Sequence, residues 1–198
     1  MKSSVIIRQV CVYCASSKKI DEKYLLDADA LAESFLAKDI TLVFGGGSVG
    51  LMGRLADRML ASGGRVIGIM PQFMKDVEWA HKGVNDIKFV KDMHERKKRF
   101  LDGTDALVAL PGGCGTLEEL LEAITLKRLG LFVKPIIIVN LDGFYDPLIK
   151  MLERCVEERF MAPEHLKMWT IVSDSKEVLP AIYTAPEWDE GAIKFAAV

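Results

Sequence analysis

Short aliphatic runs alternate with helical periods along almost the whole chain, and a parallel sheet covered by helices on both faces satisfies that pattern best. Strand-like runs fall at residues 5–14, 41–44, 65–70, 87–90, 106–110, 135–141 and 169–172. Between them, residues 21–38 place Leu25, Ala28, Leu31, Ala32 and Phe35 on one helical face. Further helical periods cover 51–61, 93–101, a long stretch opening near Thr116, a segment running from the 142–147 turn to about residue 160, and 176–183. Ser62-Gly63-Gly64 supplies a C-cap for the period at 51–61. The expected fold is α/β, a single Rossmann-like doubly wound parallel sheet over residues 1–185, with a tail at 186–198. Only residues 72–86 break the rhythm; Met74, Glu78, Trp79 and His81 there belong to a short helix or a flap.

A chain of 198 residues is long enough to bury one full core. Its net charge of -2 gives no electrostatic reason to expect nucleic acid or an anionic membrane as partner. No apolar run nears the roughly 18 residues that span a bilayer. The N-terminal apolar patch, interrupted by Arg8 and Gln9, reads as a first strand rather than a signal peptide, so a cytoplasmic protein is expected. Cys11 and Cys14 form a C-x-x-C, but inside a buried strand rather than at a helix start, which favours structural thiols over a redox pair. With His81, His94 and His165 dispersed, no metal site is expected.

Two glycine-rich loops carry the chemistry. Pro111-Gly112-Gly113-Cys114-Gly115-Thr116-Leu117-Glu118-Glu119 leads from a buried strand into a helix, and the free N–H groups of a helix start attract anions. Glu119 sits unexpectedly near that anion site. Thr116 to Glu119 also spells a capping box, so the residues alone leave Glu119 either a cap or a functional acid. Gly45-Gly46-Gly47-Ser48-Val49-Gly50 fits G-x-G-x-x-G, yet the next strand ends Gly68-Ile69-Met70-Pro71 with no acid for a ribose. A mononucleotide phosphate therefore suits it better than NAD, and a plain tight turn is the competing reading. No Walker lysine follows either loop.

Met93, Arg96, Lys97 and Phe100 share one helical face. That face either holds a cation over the strand ends, suited to phosphate or carboxylate, or forms a surface ion pair.

Together, the 45–53 loop through Gly53, Met93-His94-Glu95-Arg96-Lys97 and the 111–119 loop resemble the LONELY GUY (LOG) family over residues 10–178. That family comprises cytokinin riboside 5'-monophosphate phosphoribohydrolases, many once labelled possible lysine decarboxylases. The resemblance implies catalytic roles for Arg96 and Glu119. It implies substrate binding by Ser16, Gly45, Gly46, Gly47, Met93, Lys97, Gly112, Gly113, Cys114, Gly115 and Thr116. One departure is Ala15, where the family has glycine. The implied reaction splits the N-glycosidic bond of a nucleoside 5'-monophosphate without cofactor or metal, and the implied assembly is a homodimer. Apolar residues around the helix from Leu117 (Leu126, Leu129, Leu131 and Phe132 among them) also call for cover beyond the sheet. A nucleotide-binding module without turnover is the alternative; it would keep the glycine loops but not need Glu119. Decarboxylation would need a Schiff-base lysine for pyridoxal phosphate, and the sequence singles out none.

Overall fold

A computed structural model describes residues 6–75, 80–189 and 191–192. Glu78 and Trp79 lie outside the described residues. Seven strands, β1 (Gln9–Tyr13), β2 (Thr41–Phe44), β3 (Val66–Pro71), β4 (Asp86–Val90), β5 (Ala106–Ala109), β6 (Ile136–Val139) and β7 (Thr170–Val172), form one sheet in the order β4-β3-β2-β1-β5-β6-β7. Every neighbouring pair is parallel. The helices are α1 (Glu22–Leu36), α2 (Gly50–Ala61), α3 (Met93–Leu101), α4 (Cys114–Arg128), α5 (Asp146–Glu157) and α6 (Val178–Thr184). The chain winds outward from β1 to β4, then crosses to β5 and winds the other way. That reversal leaves a crevice beyond the carboxyl ends of β1 and β5, the place where open α/β sheets bind ligands.

The pleat divides β1 between two cores. Val10 and Val12 pack with Leu31 and Phe35 of α1, Leu55 of α2 and Val178 of α6. Cys11 and Tyr13 pack on the opposite face with Phe100 of α3, Leu120 of α4 and Leu152 of α5. Cys14 belongs to the first face and Cys11 to the second, so the C-x-x-C thiols point apart and are free. Burial raises both thiols well above the ordinary cysteine range.

Local chemistry sets the helix ends. Asp21 caps α1 by accepting from the Lys23 amide, and Asp92 caps α3 by accepting from Glu95. Two expectations need correction. The fourth helix starts at Cys114, not near Thr116, because Gly113 takes the extended cap position and no side chain caps it. The fifth stops at Glu157, short of residue 160. Arg159 takes φ 65°, and the amides of Phe160 and Met161 both return to the Cys155 carbonyl. Beyond Pro186, Trp188 packs on the second core and its Nε1 donates to the Lys127 carbonyl at 2.7 Å.

Lys127 is only 2% exposed, and its Nζ donates to the Lys134 carbonyl at 2.7 Å. Burial pushes the ammonium down to about 8, against an ordinary value of 10.5. Below pH 8 both folded and unfolded chains hold this proton, and the fold bears the cost of a buried charge. Between about 8 and 10.5 the unfolded chain binds more protons, so stability rises with pH there. The melting temperature of the native protein relative to Lys127→Met is therefore expected to climb from pH 7 to pH 10. A difference that stays flat across that range would contradict this account.

Candidate functional site

A cleft of about 300 Å³ opens at the switch point. The end of β1 and the residue after β2 floor it, and the starts of α2, α3 and α4 wall it. Of the residues named from sequence, Ser16, Gly45, Met93, Arg96, Gly113, Cys114, Gly115, Thr116 and Glu119 line it. Gly46, Gly47, Lys97 and Gly112 do not. Val12, Tyr13, Cys14, Ala15, Met52, Met74 and Glu118 line it as well, although sequence reasoning gave them no ligand role.

Arg96 faces inward and is 5% exposed. Its Nε donates to the Ile69 carbonyl at 3.1 Å and its Nη2 to the Gly45 carbonyl at 3.0 Å, fixing the guanidinium on the ends of β3 and β2. Nη1 points at the sulfurs of Met74 (3.7 Å) and Met93 (3.9 Å), and the cation lies 5.2 Å from the Phe100 ring centre. The inward placement settles the alternative left open by helical spacing, since a surface ion pair would leave this side chain in water. It also explains Gly45. A Cβ there would stand 2.6 Å from Nη2 and 2.9 Å from the Met52 sulfur.

The rest of the first glycine loop serves packing. Gly46 has φ +82° and its carbonyl accepts from the His81 amide at 2.9 Å, while Gly47 makes a bridge to Ala80. Gly50, at φ +64°, lies where a Cβ would press on the backbone of Ser16 and Ser17. The Ala15 amide donates to the Pro111 carbonyl at 3.2 Å and its carbonyl accepts from Met52 at 3.3 Å, so the alanine joins all three loops. His81 is engaged away from the cleft. Its Nδ1 accepts from Gly83 at 3.1 Å, which leaves Nε2 as the donor to Asp57 at 3.0 Å. Among the described residues no cluster suited to a metal ion occurs.

The second glycine loop is built differently. Gly112 is required by packing, since a Cβ would collide with the Thr116 side chain. Gly113 has φ -87°, and an added Cβ on Gly113 or Gly115 meets nothing within 4 Å. Nothing inside the protein demands glycine at these two positions; what they do is keep the start of α4 bare. Tyr145 steadies the approach to this loop, its buried hydroxyl donating to the Leu110 carbonyl at 2.7 Å.

Glu119 is the sixth residue of α4, past the first turn, and Thr116 is the third. The capping-box alternative therefore fails. Instead Glu119 and Arg96 both line the cleft beside the end of β1. After burial, which dominates, the charge of Glu119 raises the Cys11 and Tyr13 groups and that of Arg96 lowers them. Arg96 of α3 and Glu119 of α4 thus place opposite charges in a cleft that the uncapped start of α4 also lines.

Fold and cleft together place the chain among Rossmann-like α/β proteins with a cleft at the switch point of the sheet. The family model described as "Possible lysine decarboxylase" matches residues 52–182. A probable cytokinin riboside 5'-monophosphate phosphoribohydrolase of Oryza sativa subsp. japonica is 40% identical over 172 residues, covering 87% of this chain and 69% of its own. A cytokinin riboside 5'-monophosphate phosphoribohydrolase of Arabidopsis thaliana is 39% identical over 172 residues, covering 87% and 80%. The chain belongs to this LOG family. Among solved structures, the molybdenum cofactor carrier protein of Chlamydomonas reinhardtii superposes with a TM-score of 0.67 at 18% identity, covering 90% of this chain and 98% of that one. That likeness concerns the fold alone. The residues do not fit the decarboxylase description, because among the described residues no lysine lines the cleft to carry pyridoxal phosphate.

Proposed function

We propose that this chain hydrolyses the N-glycosidic bond of an N6-substituted adenosine 5'-monophosphate, releasing the free base and ribose 5-phosphate. The observation that carries the reading is the position of Glu119, freed from helix capping and set in the cleft with buried Arg96. The phosphate lies on the bare start of α4, at Gly113 to Thr116 and beside Ser16. The base lies toward Met52, Met74 and Met93, whose thioethers make a deformable apolar wall. As the C1'–N9 bond breaks, its electron pair leaves with the base and positive charge builds on the ribose, as in glycoside hydrolysis. The Glu119 carboxylate opposes that charge and orients the water that attacks C1'. Arg96 fixes the arrangement from α3. The water oxygen ends on C1' and the leaving nitrogen gains a proton.

The family names support this substrate class, as does a cleft with one anion-ready end and one apolar end. We also infer a cytoplasmic homodimer that takes neither nucleic acid nor membrane as partner. Leu121 on the outer face of α4 is 39% exposed and Leu131 just beyond it 72%, an apolar surface that a second copy would cover. Among the described residues no helix is long and apolar enough to cross a membrane. Purified protein given N6-isopentenyl-AMP or AMP, with no cofactor added, is expected to release base and ribose 5-phosphate in equal amounts. The same preparation should scatter light as twice the 22.0 kDa chain. Absence of free base with either nucleotide would refute the activity, and a 22.0 kDa particle the dimer.

A further inference from the structure

One polar anchor outside the cleft is built on the turn that follows β6. Asn140 closes that turn: its Oδ1 accepts from the Tyr145 amide at 2.7 Å and its Nδ2 donates to Asp146 Oδ1 at 2.8 Å. Asp142 and Gly143 supply the left-handed backbone, at φ 50° and 75°. So held, the Tyr145 side chain is 1% exposed and meets the Phe144 ring edge to face, with centres 5.0 Å apart. Its hydroxyl donates to the Leu110 carbonyl at 2.7 Å. Burial first, and Cys14 second, raise the phenol well above its ordinary range, so it keeps the proton it donates.

Leu110 stands where the sheet stops guiding the chain. The β5–β6 register ends at Ala109 opposite Ile138, while the Leu110 amide still donates to the Tyr13 carbonyl at 2.9 Å. The next carbonyl, that of Pro111, accepts from Ala15 at 3.2 Å. Gly113, the cap of α4, follows two residues later. Glycines have no side chain to fix them, and α4 has no side-chain cap. The direction of its first N–H groups therefore rests on what holds Leu110 and Pro111, which is β1 together with the Tyr145 hydroxyl. Neither Tyr145 nor Leu110 lines the cleft. Tyr145→Phe removes one oxygen and no charge, so its effect on a bound anion travels through the loop.

We propose that Tyr145 is a positioning residue for the phosphate: it pins Leu110 and so aims the bare start of α4 at the anion, without touching it. The inference rests on the phosphate placement proposed above. Its test uses the two reaction products as probes, because neither is consumed. Binding of ribose 5-phosphate and of adenine is measured by calorimetry for the native protein, Tyr145→Phe and Asn140→Ala, with a melting curve for each. Tyr145→Phe is expected to weaken ribose 5-phosphate about tenfold and to leave adenine within about twofold. Asn140→Ala, which loosens the turn carrying Tyr145, should weaken ribose 5-phosphate several-fold with adenine equally spared. A residue that served stability alone would lower the melting temperature and leave the ratio of the two affinities as it was. Native affinity for ribose 5-phosphate in a folded Tyr145→Phe protein would overturn the proposal, as would an equal loss for both probes. Should Tyr145→Phe fail to fold, Asn140→Ala decides by the same ratio. A native protein that does not bind ribose 5-phosphate would instead refute the phosphate placement, and this inference with it.

Discussion

Glu119→Gln is expected to lower kcat for AMP hydrolysis by about a thousandfold while leaving nucleotide affinity within a few-fold of native. The substitution keeps size and shape and removes only the charge. A charge that opposes the ribosyl cation acts on the transition state and hardly on the ground state, so kcat should fall without KM. The position of Glu119 within α4 makes the experiment decisive. A capping glutamate would lose up to about 1 kcal/mol of stability and keep its activity, but Gly113, not Thr116, is the cap, and Glu119 is the sixth helical residue. The melting temperature should therefore hold while turnover collapses. A folded Glu119→Gln protein that hydrolyses AMP at near the native rate would remove the carboxylate from the mechanism.

The parts of this architecture that could be read from sequence are those written in local chemistry. The strands show as aliphatic runs because a parallel strand is buried on both faces, and α3 begins at Met93 because Asp92 is a side-chain cap. The start of α4 was misplaced for the converse reason. An uncapped helix leaves no side-chain mark, and Thr116 with Glu119 imitates a capping box two residues into the real helix. The end of α5 was invisible because Arg159 takes the left-handed conformation that sequence reading assigns to glycine.

The candidate site was legible in its motifs and opaque in its division of labour. Gly45 to Gly47 read as one phosphate loop, yet Gly45 makes room for Arg96 while Gly46 and Gly47 hold residues 80–81. Gly112 and Gly113 look alike in sequence; one packs under Thr116 and the other faces open space. Met74 carries no motif and Met52 reads only as part of the glycine loop, and only the strand order brings the segments bearing them to one cleft with Arg96. Lys97 finds its carboxylates on the following helix, a pairing that no local pattern announces.

The bare start of α4 makes the second large prediction. If the 5'-phosphate rests on the N–H groups there, its binding energy is remote from C1' and serves to orient the ribose against Glu119. Several charge-assisted hydrogen bonds would be lost with the phosphate. The dephosphorylated nucleoside should then suffer in kcat as well as KM, since a loosely held ribose seldom meets the carboxylate in the right geometry. Triphosphates should also be poor, because the loop lacks the lysine that a phosphate chain requires.

The central claim is that this cleft is a phosphate-anchored N-glycosidase site, and one comparison tests it most directly. Free base released from N6-isopentenyl-AMP and from the matching riboside is measured under identical conditions with the native protein. The expected result is kcat/KM for the monophosphate at least about a hundredfold above that for the riboside. Equal kcat/KM values for the two would contradict the phosphate anchor, and with it the role assigned to the glycines at the start of α4.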